Sequence, residues 1–99
     1  MNYRNKDLLR AVSQLPCQIC GLEGQTQASH SNQLEDGKGM GIKASDAMIA
    51  SICYTCHAEI DQGKKYDKET RKAVWDKAHR RTMRILLEQE YLIVNKSKL

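Results

Sequence analysis

The sequence CQIC at positions 17–20 is matched in spacing by CYTCH at positions 53–57, so that two CxxC pairs stand 32 residues apart. Four thiolates at this spacing can close a tetrahedral shell around one zinc ion, each sulfur about 2.3 Å from the metal. A closed shell of four sulfurs leaves no position at which the metal could activate a water molecule. The sequence therefore predicts a structural zinc site, whose ligands are Cys17, Cys20, Cys53 and Cys56.

Two disulfides are the alternative pairing of the same cysteines, and the cellular compartment separates the two interpretations. Residues 1–7 read MNYRNKD, without the apolar region of a signal peptide, and no apolar run is long enough to span a membrane. We therefore expect a cytoplasmic protein without a membrane partner, in a reducing compartment where CxxC pairs bind metal. A redox role for the CxxC pairs is a third interpretation.

The apolar content predicts a small hydrophobic core. The chain has 99 residues, no phenylalanine and a single tryptophan, and so short a chain buries a smaller share of its surface than a larger one. A metal site commonly supplements a core of this size. We expect one domain over residues 1–99, because no linker divides the chain.

The hydrophobic pattern predicts an α+β fold. An N-terminal helix is expected at about 3–15, and a long C-terminal helix at about 67–89 begins after Asp67, a good N-cap. The long helix carries an apolar stripe formed by Val74, Trp75, Ala78, Ile85 and Leu86, with Trp75 in the core rather than at a binding surface. The other predicted elements are strands at 25–31 and 48–52, a short helix at 57–61, and a strand or docked tail at 91–94.

A second constellation lies beside the cysteines. His57 follows Cys56 directly, and Asp61 stands four residues later, so that both side chains project from one face of a helix. Such a pair can hold a divalent cation with open positions for water and phosphate. His30, on the facing strand, is a candidate general base because the pKa of histidine lies near neutral pH. Each histidine also has a structural interpretation: His30 as a packed residue, and His57 as a helix cap, a surface residue or a zinc ligand.

The order of these residues resembles a known family. CxxC, then a histidine, then CxxCH over residues 17–61 is similar to the zinc-containing version of the HNH (ββα-metal) nuclease motif. The stretch GKGMGIKASD at 37–46 makes the chain similar to small phage and prophage nucleases of the YbcO-like kind and to the recombination-enhancement (Ref) nucleases. The resemblance implies a treble-clef-like ββα finger in which His30 activates water, while His57, with Asp61, holds one Mg²⁺ or Mn²⁺ ion against the scissile phosphate.

The sequence departs from the family pattern at Ser29. Many HNH proteins place a histidine or an aspartate immediately before the general base, and serine is a poor ligand for a divalent cation. We therefore expect the metal shell to depend on the helix-borne pair and on a loop carboxylate, from Asp36 or Asp46, although Asp46 is favoured as a brace for the turn. Asn32 is the candidate for the asparagine that orients the base.

Basic residues gather in two further regions. Three alternating glycines, Gly37, Gly39 and Gly41, let the backbone approach a ligand closely, so that their amides could meet a phosphate, and Lys38 and Lys43 add charge. Between positions 64 and 84 there are nine lysines or arginines against three acidic residues, which suits sequence-independent contact with a DNA backbone. A flexible connector and a solvated helix face are the alternatives. The candidate phosphate contacts of the helix are Arg71, Lys77, Arg80, Arg81 and Arg84, and His79 is expected at the surface or on a phosphate.

We therefore expect a metal-dependent DNA endonuclease that hydrolyses phosphodiester bonds. The resemblance implies a phage or prophage gene product in a bacterial host, with a role in recombination or DNA processing and with a recombination protein as a possible partner. A non-catalytic zinc module that binds nucleic acid or protein is the alternative function. The sequence leaves the substrate structure, the choice between DNA and RNA, and the oligomeric state open.

Overall fold

A computed structural model describes residues 2–99 and shows a small α+β protein with three α-helices and a two-stranded antiparallel sheet. No helix among residues 2–99 is both long enough and apolar enough to cross a lipid bilayer. In chain order the elements are α1 (Lys6–Ser13), β1 (Thr26–His30), β2 (Ile49–Cys53), α2 (Tyr54–Asp61) and α3 (Lys68–Glu88), with 3₁₀ helices at Leu34–Asp36 and Lys96–Lys98.

Asn5 fixes the start of α1, because its extended backbone ends the preceding segment and its side chain accepts a hydrogen bond from the first helical turn. The helix predicted at about 3–15 is therefore too long at both ends. The residues before Asn5 follow a different path, since the carbonyl of Tyr3 accepts a hydrogen bond from the backbone N–H of Asp46 at 2.9 Å. The N-terminal segment is thus attached to the loop that precedes β2.

The hairpin of β1 and β2 sets the distance between the cysteines and His30. Thr26 pairs with Cys53 at one end, and His30 pairs with Ile49 at the other. The helix α2 begins at the residue after β2 and packs against both strands. Because α2 runs back along the hairpin, its two turns carry side chains from the cysteine end toward the His30 end.

Two hydrophobic clusters lie on the elements around β2, a strand that is buried at every position. The sequence IASIC of β2 contributes to both of them, so this strand forms the centre of the molecule. The first cluster joins β2 to the cysteines and α3, and its buried members are Cys17, Ala50, Ile52, Cys53, Ile60, Trp75 and Ala78. The second joins β2 to α1 and the far end of α3, and its buried members are Leu8, Val12, Leu15, Ile49 and Leu86.

The long helix α3 follows the predicted bounds closely. The Oδ1 atom of Asp67 accepts a hydrogen bond from the N–H of Thr70 at 2.7 Å, which confirms the predicted N-cap. Its buried residues are Trp75, Ala78, Thr82 and Leu86. Thr82 was outside the predicted apolar stripe. The segment 91–94 is not a strand. The N–H of Leu92 donates to the carbonyl of Leu86 at 2.9 Å, and Leu92 packs against the second cluster, whereas Tyr91, Ile93 and Val94 are exposed.

The edge of β2 that does not pair with β1 is covered by three hydrogen bonds, two from side chains of α3 and one from the first CxxC turn. The N–H of Ser51 donates to Thr82 Oγ1 at 3.0 Å, and the carbonyl of Ser51 accepts from the N–H of Gln18 at 2.9 Å. His79 Nδ1 donates to the carbonyl of Ile49 at 2.7 Å. The expectation that His79 is a surface residue or a phosphate contact is therefore wrong, because the ring serves the sheet edge.

Replacing Thr82 with valine tests this edge. Valine keeps the branched shape but cannot accept from the Ser51 N–H, and a buried donor without a partner costs about 1–3 kcal/mol. We expect Thr82→Val to lower the free energy of unfolding, measured by urea denaturation of the zinc-saturated protein. Thr82→Ser, which keeps the hydroxyl and loses one methyl group, should cost less. Equal stability of Thr82→Val and the wild type would contradict the assignment.

Candidate functional site

The four cysteine side chains converge where the loop after α1 meets the junction of β2 and α2. Their sulfur atoms all lie within 4.8 Å of one another, and the sulfurs of Cys20 and Cys53 are 3.7 Å apart. Tetrahedral bonds of about 2.3 Å to one zinc ion place sulfurs about 3.8 Å apart. The four cysteines are free thiols rather than disulfides. Their predicted clustering is confirmed, and the cluster can hold a metal ion such as zinc.

Backbone N–H groups of neighbouring residues lie within hydrogen-bond distance of two of the sulfur atoms. The N–H of Ile19 lies 3.4 Å from Cys17 Sγ, and the N–H of Cys56 lies 3.5 Å from Cys53 Sγ. Gly21, at φ +84°, closes the first turn by donating its N–H to the carbonyl of Cys17 at 2.9 Å. An L-residue with a side chain rarely adopts this φ, so glycine suits the turn. Cys53 also caps the N-terminus of α2 through its sulfur.

The thiols differ in their acidity because they share one small volume. Burial raises the pKa of the Cys17 thiol, but backbone N–H groups, led by those of Cys20 and Cys53, outweigh it and lower the pKa to about 6. At Cys56 burial, the neighbouring thiols and the charge on Cys17 all raise the pKa. Four thiolates can therefore coexist here only when a cation balances their charge, which is the chemistry of a zinc site.

The helix α2 brings His57 and Asp61 together one turn apart. His57 Nε2 lies 2.9 Å from Asp61 Oδ2, and two adjacent ligands of an octahedral Mg²⁺ ion, each at about 2.1 Å, are about 3 Å apart. The other ring nitrogen, Nδ1, contacts the side-chain amide of Gln27 on β1. Asn32 Nδ2 donates to the second oxygen of Asp61 at 3.2 Å. The spacing of the pair thus suits two protein ligands on one divalent cation.

His30, at the end of β1, has a carboxylate partner of its own. His30 Nε2 lies 2.7 Å from Asp46 Oδ1, and the Asp46 side chain is only 3% exposed. The expectation that Asn32 orients His30 is wrong, because Asn32 contacts Asp61 instead. Asp46 therefore holds the candidate base, a role that its sequence position, 16 residues from His30, did not indicate.

The Asp46 carboxyl is ionised despite its burial. Desolvation raises its pKa, but the hydrogen bond from His30 and that from the backbone N–H of Asn5 outweigh this effect, with a further contribution from Arg4. The net result is a pKa below the usual value for aspartate. At neutral pH the group is thus a carboxylate that only accepts hydrogen bonds.

One cavity connects the two histidines. It has a volume of about 280 Å³, and its lining includes His30, His57, Lys38 and Lys43. Ser29 lines the same cavity with a buried Oγ that has no hydrogen-bond partner among the described residues. The structure therefore places His30, His57 and two lysines around one space, and Asp61 lies beside His57 but lines a neighbouring groove.

The loop carboxylates do not join His57 and Asp61. Asp36 accepts a hydrogen bond from Ser31 Oγ at 2.6 Å, and Asp46 is held by His30. Within residues 2–99 the one group of three or more potential metal ligands is the cysteine cluster. The expected third carboxylate is therefore wrong, and any ion at the His57–Asp61 pair would take its other ligands from water and phosphate.

Two of the three loop glycines use their amides in hydrogen bonds within the loop region. Gly37, at φ +94°, donates its N–H to the carbonyl of Leu34 at 3.0 Å and ends the preceding 3₁₀ helix. Gly39 and Ile42 exchange two backbone hydrogen bonds that close a tight turn. The expectation that the loop amides meet a phosphate therefore fails for Gly37 and Gly39. The loop contributes its lysines to the cavity instead.

Arg71 is a structural residue rather than a free phosphate contact. Its Nε donates to the carbonyl of Tyr66 at 3.2 Å, and its guanidinium also contacts the carbonyls of Asp61 and Gly63. The last carbonyls of a helix lack intrahelical partners, and Arg71 supplies donors to this end of α2. The sequence could not show this, because the loop after α2 brings these groups together.

The other candidate phosphate contacts of α3 lie on exposed positions outside the cavity between the two histidines. Lys77, Arg80, Arg81 and Arg84 are exposed. Arg84 pairs with Glu88 at 2.7 Å, and Arg81 contacts the carbonyl of Gln18 at 3.3 Å. None of the four lines the cavity between the histidines.

A larger groove of about 590 Å³ opens beside Asp61 and Asn32. Its apolar part includes Ile60 and Trp75, and Lys72 stands among its polar residues. Trp75 is 5% exposed and belongs to the first hydrophobic cluster, which confirms its predicted place in the core. The candidate site thus continues into a channel with an apolar wall.

Removal of one zinc ligand tests the cysteine cluster. We expect the purified protein to contain one zinc ion per chain, and Cys20→Ser to lose zinc together with part of the about 10 kcal/mol or more that a structural zinc contributes to folding. Metal analysis and thermal unfolding by circular dichroism measure both effects. Met40→Ser, at a fully exposed position, is the control and should match the wild type. A stable, zinc-free wild-type protein would exclude the zinc site.

Comparison of the chain with protein-family models, with curated proteins and with solved structures gives no match in any of the three. The cysteine cluster and the cavity between the two histidines are therefore the features from which a function must be inferred.

Proposed function

We propose that this protein is a metal-dependent endonuclease of the HNH (ββα-metal) type that hydrolyses phosphodiester bonds in DNA. The observation that carries the proposal is the cavity lined by His30, His57 and two lysines, with Asp61 beside His57. A hairpin followed by a short helix supports this cavity, and the cysteine cluster braces the junction of the two elements.

His30 is the proposed general base. It borders the cavity with 16% of its side chain exposed, so water can reach the ring. The carboxylate of Asp46 favours a proton on Nε2, which leaves the lone pair on Nδ1. His30 Nδ1 then removes a proton from a water molecule while the water oxygen bonds to phosphorus and the bond from phosphorus to the leaving 3′-oxygen breaks.

His57 and Asp61 are the proposed ligands of the catalytic ion. Gln27 contacts the other side of the His57 ring, and Asn32 donates to the other oxygen of Asp61. An ion bound here would replace the direct contact between His57 Nε2 and Asp61 Oδ2, with the ring proton on Nδ1. A Mg²⁺ or Mn²⁺ ion bound there would stabilise the negative charge on the phosphate and on the leaving oxygen. The protein supplies only two ligands, which predicts weak metal binding without substrate.

Lys38 and Lys43 are the proposed phosphate contacts nearest to the chemistry, because they line the cavity that holds the histidines. The exposed cations of α3, Lys77, Arg80, Arg81 and Arg84, would bind the DNA backbone farther along. These contacts are independent of sequence and weaken as salt rises. The proposal also includes a role in phage or prophage DNA processing in the bacterial cytoplasm, with a recombination protein as partner. This part rests on the family resemblance alone.

A plasmid-nicking assay with Mg²⁺ or Mn²⁺ tests this function. We expect the wild type to nick DNA, and His30→Ala to lower the rate about 10²–10⁴-fold, the usual contribution of a general base. His57→Ala should lower the rate and raise the metal concentration needed for half-maximal activity. His79→Asn is the matched control, because asparagine can replace the hydrogen bond to the Ile49 carbonyl.

The alternative function, a non-catalytic zinc module, gains support from the two-ligand metal pair and from Ser29 before the base. It predicts that purified, zinc-loaded protein binds DNA or protein but never cuts DNA at any divalent metal concentration. Cleavage that survives in His30→Ala at the wild-type rate would also contradict the proposed mechanism.

A further inference from the structure

The buried carboxylate of Asp46 receives donors from two parts of the chain. His30 Nε2 and Arg4 Nη1 share its Oδ1 atom at 2.7 Å and 3.1 Å. The backbone N–H of Asn5 donates to Oδ2 at 2.7 Å. Two of these three donors come from the N-terminal segment before α1, which carries none of the motif residues. The group that holds His30 is therefore itself held by the N-terminus.

Arg4 also binds the backbone of the residues just before this carboxylate. Its Nη2 donates to the carbonyl of Lys43 at 2.8 Å, and its Nη1 also reaches the carbonyl of Ala44. The guanidinium thus connects three acceptors within residues 43–46, an arrangement that its planar set of donors permits and a lysine ammonium does not reproduce. Asn2 adds two further bonds, from its Nδ2 to the carbonyls of Gly37 and Lys43.

Charge balance explains why a buried carboxylate suits this position. An isolated buried carboxylate would be costly or would take up a proton. The Arg4 guanidinium supplies a permanent positive charge, and the Asn5 N–H satisfies the second oxygen, so Asp46 remains an acceptor for the His30 ring. A carboxylate in this place holds an imidazole in one tautomer and stabilises the imidazolium that forms when the ring takes a proton.

We infer that Arg4 and Asp46 are positioning residues for His30, and that the N-terminal segment 2–5 is part of the active site. Asp46 fixes the ring with its proton on Nε2, and Arg4 fixes Asp46. The arrangement of Arg4, Asp46 and His30 follows from their hydrogen bonds alone. The expected effect on the rate of cleavage rests on the proposed nuclease function.

Arg4 is 46% exposed at its side chain, so contact with a DNA phosphate is the competing role. Measurements of KM and kcat distinguish the two roles. A phosphate contact would raise KM in Arg4→Ala and would be largely restored in Arg4→Lys, which keeps the charge. A positioning role lowers kcat in both variants with little change in KM, because a lysine cannot bridge the three acceptors.

Nitrogen-15 NMR of the histidine side chains is the test that does not depend on catalysis. In the zinc-loaded wild type we expect His30 to carry its proton on Nε2 in the neutral form. In Asp46→Asn and in both Arg4 variants we expect a mixture of His30 tautomers. His57 and His79 in the same spectra serve as internal controls and should remain unchanged.

Cleavage assays then measure the consequence. We expect kcat to fall by about 10²–10⁴-fold in Asp46→Asn, the range that loss of the base itself would give, and to fall by a smaller factor in Arg4→Ala and Arg4→Lys, with a displaced pH profile. A wild-type His30 that carries its proton on Nδ1, or tautomers unchanged in Arg4→Lys, would overturn the inference. If Asp46→Asn fails to retain zinc and helical structure, the Arg4→Lys variant tests the inference instead, because Arg4 is half-exposed and its replacement should be tolerated by the fold.

The two proposals fail in different ways. Absence of cleavage by the wild type, together with a fixed Nε2–H tautomer, would remove the nuclease and leave the arrangement of Arg4, Asp46 and His30 in place. Cleavage with kcat unaffected by either Arg4 variant would retain the nuclease and remove the positioning role.

Discussion

The sulfur atoms of four cysteines bring together two segments that are 32 residues apart in the chain. The same residues serve the fold in other ways, since Cys17 and Cys53 belong to the first hydrophobic cluster and Cys53 also begins α2. The hydrophobic clusters are small, and the thiols cannot all ionise without a cation. The position of α2, and of the histidine and aspartate that it carries, therefore depends on this cluster and on the ion that it can hold.

Two histidine–carboxylate pairs occupy the candidate site in different surroundings. Asp46 is almost completely buried and faces an arginine, so its carboxylate is dedicated to His30. Asp61 is 35% exposed and lines the larger groove, where its two oxygens contact His57 and Asn32. Two pairs of the same residue types thus stand in different chemical surroundings, because they differ in solvent access and in the charges beside them.

The features that could be predicted from the sequence are those set by neighbouring residues. The CxxC spacing, the Asp67 cap and the shared helix face of His57 and Asp61 all depend on intervals of a few residues, and each is present in the structure. Ser29 precedes His30 in the sequence, but sequence spacing could not show that its hydroxyl is buried without a hydrogen-bond partner among the described residues.

The site predictions that are wrong have a different cause. Asn32 was assigned to His30 because it is near in sequence, yet the hairpin directs it to Asp61, while Asp46 reaches His30 from a loop that is attached to the N-terminus. Arg71 and His79 were counted as surface groups because nothing local shows that backbone carbonyls of α2 and β2 face them. These contacts arise from chain segments that meet only after folding, so no periodic pattern records them.

The closed outer edge of β2 has a consequence for how the protein behaves among copies of itself. The strand sequence IASIC is short, apolar and rich in branched residues, the type that pairs readily with a neighbouring strand when its backbone is free. Thr82, His79 and the Gln18 N–H occupy the groups that such a neighbour would use. The sheet therefore ends at two strands, and this apolar strand is protected from pairing with another chain for as long as α3 and the first CxxC turn remain docked on it.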